Sequence, residues 1–266
     1  FPSRRATPPP EVRPDPKRVR TRGYPASGAH YLQWVSSRHD RDLHSSPLGD
    51  LTIMLSRLAH FEKCLVSDPQ APFPRIDLPD REPVRGHVGI IKNFGRSVGG
   101  SLVHGHQQIV HTNVLPRRLE DDARFLERTG ISYAAHLLED NPESLTIKEY
   151  GKIKLITPYC LRRPLEALIL PTRPERRYLH DFTKTEISQL ARALRDATQT
   201  VVNLLGHLHR EPAYNLVFHS GVSGTFYVEI LPHTQEMGGY EQMGLYLCQG
   251  TARTSTEDYR QTLSDR

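Results

Sequence analysis

Two histidines and a glutamine fall on alternate positions in His104-Gly-His106-Gln-Gln108, directly after the glycine-rich stretch Asn93-Phe-Gly-Arg-Ser-Val-Gly99-Gly100-Ser101. Alternate side chains of an extended strand project to one face, so this spacing predicts His104, His106 and Gln108 along one wall, with Ile109 pointing away. An imidazole beside an amide suits attack on a phosphorus centre. The imidazole can act as a nucleophile, and the amide N–H can hold a non-bridging oxygen as charge builds there. Backbone N–H groups of a glycine turn can approach phosphate closely. A histidine pair taken alone also fits a metal site, a packed core or a solvated strand. The whole ordered block favours phosphorus chemistry.

The elements that must position these groups follow from periodicity. Tyr31-Leu-Gln-Trp-Val-Ser36 reads as a strand, and Leu51, Met54, Leu55, Leu58, Phe61, Cys64 and Leu65 recur at helical spacing within 48–65. Residues 67–84 hold several prolines and read as a loop. Gly86-His-Val-Gly-Ile-Ile-Lys-Asn93 is the strand that delivers Asn93 to the glycine turn, and the next strand is predicted to hold His104, His106 and Gln108. Residues 119–139 read as a helix interrupted near Gly130, followed by strands near 145–150, 152–158 and 166–171. Thr183 opens a long helix to about Leu208, with Glu186 as its capping-box partner, and strands near 214–219 and 225–231 follow. Strand–helix–strand–strand thus recurs at about 28–115 and 145–233. That predicts an α+β fold of two similar halves, each an antiparallel sheet with helices packed on it. The expected divisions are an extended Pro- and Arg-rich segment at 1–27, a first half at 28–140 with the active strand, and a second half at 141–266.

A chain of 266 residues can bury a sizeable core as one large domain or two fused halves. No apolar run is long enough to cross a bilayer, and no apolar signal-peptide core opens the sequence. Cys64, Cys160 and Cys248 are far apart, which argues against a disulfide scaffold and for a reducing, cytoplasmic compartment. A net charge of +5 fits attraction of phosphorylated ligands, and equally an ordinary basic surface. Basic residues are not interleaved with aromatics and no nucleic-acid module is present, so neither nucleic acid nor membrane is an expected partner. The sequence opens on Phe1 rather than Met, and the expectation is a native N-terminus further upstream.

The block from Asn93 to Ile109 resembles the active-site strand of galactose-1-phosphate uridylyltransferases and the related nucleotide-sugar and dinucleotide phosphorylases of the histidine-triad (HIT) superfamily. The resemblance extends along the chain. Thr7-Pro-Pro-Pro-Glu11-Val is similar to the segment after that family's first cysteine pair, and Ser37-Arg-His39-Asp-Arg-Asp-Leu43 to its H-D-R-D-L element. Tyr214–His219 and Val228–Pro232 resemble its second-half strands, and Gly239-Tyr240-Glu241 its sugar-contacting turn.

The resemblance implies two fused HIT-like halves and transfer of a nucleoside monophosphate between phosphorylated sugar partners through a covalent nucleotidyl-His106. Alternatives are a nucleoside-diphosphate-sugar or dinucleotide phosphorylase using inorganic phosphate, a catalytically silent nucleotide-binding protein, or a hydrolase. Hydrolases of the superfamily carry histidine at the position of Gln108, and glutamine cannot protonate a leaving group, so Gln108 favours transfer. His104 would orient the nucleophile through its backbone carbonyl. Asn93, Gly99, Gly100 and Ser101 would contact nucleotide and phosphate, and Tyr240 and Glu241 the sugar.

The chemistry implied needs no cofactor. His39 and His104 match half of a structural zinc site, whose two cysteines would have to precede Phe1. A second metal site of the family matches at Glu139 and His219 but has Tyr227 and Glu229 for its other ligands, and is expected to be lost. Other departures are Gly105 for the usual proline and Gln107 for a smaller residue. The family's phosphate-gripping arginine would precede the sequence or come from Arg4 to Arg22. Relatives of this kind are often homodimers.

Overall fold

The computed structural model describes residues 26–67, 86–221 and 224–265. The segments 1–25 and 68–85, with the Thr7–Val12 resemblance and the arginines from Arg4 to Arg22, lie outside the described residues. Among the described residues eight strands form one antiparallel sheet: β1 (Gly28–Trp34), β2 (His87–Phe94), β3 (His106–Thr112), β4 (Thr146–Glu149), β5 (Ile153–Ile156), β6 (Ala167–Pro171), β7 (Tyr214–His219) and β8 (Tyr227–Pro232). Their spatial order is β1-β3-β2-β7-β8-β6-β5-β4. The helices are α1 (Leu48–Ser67), α2 (Arg117–Thr129), α3 (Tyr133–Asp140), α4 (Lys184–His207), α5 (Gly239–Gln242) and α6 (Ala252–Ser264).

The alternation of each strand decides what it buries. Val88, Ile90, Ile109, Leu216, Phe218, Val228 and Ile230 face α1 and α4, whose Leu51, Leu55, Leu58, Leu190, Leu194 and Val201 complete the main core. The start of α4 is the expected capping box: Thr183 Oγ1 accepts from the Glu186 N–H at 3.2 Å, and Glu186 Oε2 accepts from the Thr183 N–H at 2.8 Å. The expected break near Gly130 is also present, since α2 ends there in a left-handed cap. Helix α3 then turns back over the opposite face of the sheet, where Ala134 and Leu137 pack on Ile156, Leu168, Leu170 and Tyr227. Part of the 117–140 segment thus lies against strands of the second half. Among the described residues nothing covers the opposite face over β1, and Leu32 and Trp34 are exposed there.

The registers reveal a repeat that spacing alone could not. β1-α1-β2-β3 has strand order 1-3-2, β6-α4-β7-β8 has order 6-8-7, and the two join through β2–β7. Leu32, Gln108, Ile91, Val217, Glu229 and Leu168 stand in one row across six strands. The central pair Ile91–Val217 marks the axis of a two-fold relation. Gln108 therefore corresponds to Glu229, His106 to Tyr227, and Asn93 to His219. At about 4.8 Å per strand, Gln108 and Glu229 sit roughly 14 Å apart on the same face. Among the described residues, no helix is long and apolar enough to cross a membrane.

Candidate active site

His106 is the first residue of β3, and this corrects one expectation. His104 precedes the strand, so it does not share a strand wall with His106 and Gln108. Its ring turns instead to Ser36, whose carbonyl lies 2.7 Å from His104 Nε2, and to His39. The backbone carbonyl of His104 accepts from His106 Nδ1–H at 2.9 Å. A carbonyl only accepts, so the proton of a neutral His106 sits on Nδ1 and the lone pair on Nε2. His106 is 4 % exposed. Trp34, paired with His106 across β1–β3, packs its indole at 4.5 Å from the His104 ring and 5.8 Å from that of His106, centroid to centroid.

His106 and His104 line a hollow of about 350 Å³ with Asn93, Gly100, Ser101 and Lys92. The glycine turn closes on itself through Gly100 N–H donating to the Gly95 carbonyl at 2.9 Å. Asn93 is set by a residue that the sequence did not single out. Asn215, directly opposite on β7, donates from Nδ2 to Asn93 Oδ1 at 2.8 Å and to the Val98 carbonyl at 3.1 Å. That fixes the Asn93 amide with its N–H₂ group as the donor. Gln108 lies two residues beyond His106 on the same face, half-buried, while Ile109 is buried on the other. Gln107 also points inward and donates to Gln33 Oε1 at 3.0 Å, which accounts for its size.

Gly105 has a steric reason. A Cβ there would lie 2.6 Å from the Arg41 carbonyl oxygen and 2.8 Å from Asp42 Cγ. Gly105→Ala is expected to destabilise the protein by about 1–3 kcal/mol, the usual range for overpacking. Urea unfolding checks this; an unchanged midpoint would mean that the loop 38–43 yields freely.

Tyr240 and Glu241 fall in α5, away from the His106 hollow. Glu241 borders a larger cleft of about 720 Å³ with His87, Ile91, Arg118, Arg162, Val217 and Glu229. Its carboxylate also braces its own turn, accepting from the Gly238 N–H at 2.8 Å and the Leu247 N–H at 3.3 Å. Tyr240 is exposed beside it. The two hollows adjoin along β2, where Ile91 borders one and Asn93 the other, about 7 Å apart on one face.

The larger cleft contains the counterpart of the His106 region, and its chemistry is spent internally. Glu229 Oε2 lies 2.9 Å from His219 Nε2, while Oε1 accepts from Arg162 Nη2 at 2.7 Å and Arg118 Nη2 at 3.2 Å. Burial opposes ionisation of Glu229, but His219 and the two arginines outweigh it and hold its pKa at about 2. Tyr227 donates its hydroxyl to Asp122 Oδ2 at 2.7 Å. Glu139 is elsewhere, lining a hollow with Ser132 and Thr225, so Asp122 and not Glu139 stands by His219. Two guanidinium groups already neutralise Glu229, and Tyr227 is committed to Asp122. These residues do not fit a second metal ion. At the other pair, His39 and His104 bring their Nδ1 atoms to 2.9 Å, close to the roughly 3.3 Å separation of two nitrogens on tetrahedral zinc. They suit two of four ligands, and the described residues include no group of three or more metal-ligating side chains.

His87 at the cleft edge gives a pH dependence. Burial, helped by His219 and His111, lowers its pKa from 6.5 to about 4. Between those values the unfolded chain takes up a proton that the folded one refuses, so stability falls as pH drops from about 6.5 to 4. The loss from this group is about 3 kcal/mol at 1.36 kcal/mol per unit. Denaturant unfolding of wild type and His87→Gln across that range checks it, the variant being expected to lose less stability.

Comparison with known proteins bears out the resemblance. No family model matches the chain. An ADP-glucose phosphorylase of Arabidopsis thaliana is 23% identical over 168 residues, covering 58% of this chain and 46% of that protein. A galactose-1-phosphate uridylyltransferase of Thermotoga maritima is 29% identical over 116 residues, covering 42% of this chain and 36% of that protein. The chain thus matches less than half the length of these curated relatives. A solved uridylyltransferase superposes with a TM-score of 0.76 over 90% of this chain and 77% of that one, at 20% identity. The chain has the uridylyltransferase fold. That fold accounts for the single α+β sheet with helices on both faces.

Proposed function

We propose that this chain moves a nucleoside monophosphate between phosphorylated sugar partners, or onto inorganic phosphate, through a covalent nucleotidyl-His106. The observation that carries the reading is the His106 Nδ1–H bond to the His104 carbonyl, which leaves the Nε2 lone pair for the substrate. In the first half-reaction Nε2 attacks the α-phosphorus of a nucleotide sugar. The Nε2–P bond forms, the bond from phosphorus to the bridging oxygen breaks, and its electron pair leaves with the sugar phosphate. The positive charge on the imidazole is shared through Nδ1–H with the carbonyl. The leaving group is already a phosphate and needs little protonation, so an amide at Gln108 suffices there. Asn93, Gly99, Gly100 and Ser101 would hold the phosphates, and the neighbouring cleft bordered by Glu241, with Tyr240 beside it, the sugar. In the second half-reaction an acceptor phosphate oxygen displaces the imidazole and regenerates Nε2.

The phosphorylase form has one specific support, the longer match to a protein named ADP-glucose phosphorylase. The test is to load the protein with UDP- or ADP-glucose and chase with inorganic phosphate or a sugar 1-phosphate. Discharge onto phosphate assigns phosphorolysis, and discharge onto sugar phosphate assigns transfer. Binding without either would make the protein a silent nucleotide binder. The same reading takes the protein as cytoplasmic, in keeping with its three free cysteines, and as a homodimer. It includes a structural zinc at His39 and His104 only where two further ligands come from outside the described residues.

A further inference from the structure

Strand β2 reads His87-Val-Gly-Ile-Ile-Lys92-Asn93-Phe94, with one lysine in a largely apolar run. By alternation Lys92 shares the inward face with Val88 and Ile90, and its side chain is 1 % exposed. Ammonium groups are almost never so buried unless paired. Lys92 Nζ meets Asp42 Oδ1 at 2.7 Å and donates to the His106 carbonyl at 3.0 Å.

The second contact replaces a missing ladder bond. The β2–β3 pairing ends at Ile91↔Gln108, short of the nucleophile. On the other side of β3, the Gly105 carbonyl accepts from the Val35 N–H at 2.8 Å. Backbone groups alternate sides along a strand, so the His106 carbonyl faces β2, past the end of the ladder. Lys92 supplies the donor that β2 no longer offers. Asp42 is held in turn by the Leu43 N–H, donating to Oδ1 at 2.5 Å. Its carboxylate packs on Gly105, where a Cβ would come within 2.9 Å of Oδ2.

We propose that Lys92 and Asp42 are positioning residues for His106, a buried ion pair that clasps the 104–106 backbone from behind. The pair keeps the His104 carbonyl in line with His106 Nδ1 and Nε2 directed at the substrate. This rests on the reading of His106 as nucleophile. Gly105 belongs to the same device, because only a residue without a side chain lets Asp42 close on the backbone. Both border the His106 hollow, but the Lys92 ammonium is taken up by Asp42 and the His106 carbonyl, so the pair acts through the His106 peptide.

Removing one charge alone would leave the other buried and unpaired, so the test removes both while nearly conserving volume, in Lys92→Met with Asp42→Asn. Two readouts are taken on folded protein: adduct formation from ADP- or UDP-glucose as a function of donor concentration, and the His106 imidazole Nδ1–H resonance in ¹H–¹⁵N spectra. The expected result is donor affinity within about twofold of wild type, adduct formation at saturating donor slowed about 10²-fold, and loss of the protected Nδ1–H resonance. A rate at saturation within threefold of wild type, or equal losses in affinity and rate, overturns the proposal, as does a retained resonance. If the double variant does not fold, Lys92→Arg decides. It keeps the ion pair but not the ammonium's fit to the carbonyl, and should slow adduct formation tenfold or more at unchanged affinity; a wild-type rate overturns the proposal. If wild type itself forms no adduct, the nucleophile reading fails, and the resonance still tests the clasp.

Discussion

His106→Ala is expected to lower nucleotide transfer by more than about 10⁴-fold while leaving the fold intact. The substitution removes the only protein atom in the scheme that bonds to phosphorus. A residue that forms the covalent intermediate typically carries losses of this order or larger. At 1.36 kcal/mol per tenfold, that is at least about 5 kcal/mol of transition-state stabilisation. Steady-state assays with a nucleotide sugar and either acceptor, beside a thermal unfolding curve, separate lost chemistry from lost structure. His106→Gly should also be inactive and should regain part of the activity when free imidazole is added. Turnover of a few per cent of wild type in His106→Ala would remove the covalent route.

Gln108→His is expected to move the balance from transfer toward hydrolysis. The residue stands on the same strand face as His106, two positions on, and pairs with Ile91 where the two hollows adjoin. An imidazole there can donate or accept a proton, so it can serve both a poor leaving group and an incoming water. The amide can only hydrogen-bond. General acid–base help of this kind is worth roughly 10²–10⁴-fold. The measurement is the ratio of free nucleoside monophosphate to transferred nucleotide at fixed acceptor. An unchanged ratio with activity intact would detach Gln108 from the phosphate.

How far the sequence could be read depended on how local each feature is. The grouping of Asn93, the glycine turn and His106, with Gln108 beside them, was legible because these residues are close together in the chain. Helical periodicity at 48–65, the Thr183–Glu186 box and the break at Gly130 were legible for the same reason. What escaped depends on register between distant strands. Trp34 reaches His106 only because β1 pairs with β3, and Asn215 reaches Asn93 only because β2 pairs with β7. Lys92 was a visible anomaly in an apolar strand, but its partner Asp42 is fifty residues away. His104 was put on the strand wall because alternation was extended one step too far, past the residue where pairing with β1 begins. The exchange of Glu139 for Asp122 has a similar origin. The turn at Gly130 folds α3 back, and the face that meets His219 then belongs to α2. Tyr227 and Glu229 raised the expectation that the second metal site is lost. The two arginines from separate segments that converge on the Glu229 carboxylate were not foreseen.

The central claim is that His106 Nε2 becomes bonded to phosphorus. Its most direct test is to mix the protein with ADP-glucose or UDP-glucose without acceptor, digest it under mildly alkaline conditions, and map the nucleotidyl mass by peptide fragmentation. The account predicts one added nucleoside monophosphate on the peptide holding His104 and His106, localised to His106, and removed when inorganic phosphate or a sugar 1-phosphate is added. A modification on any other residue, or turnover with no nucleotidyl-peptide at any time, would contradict it.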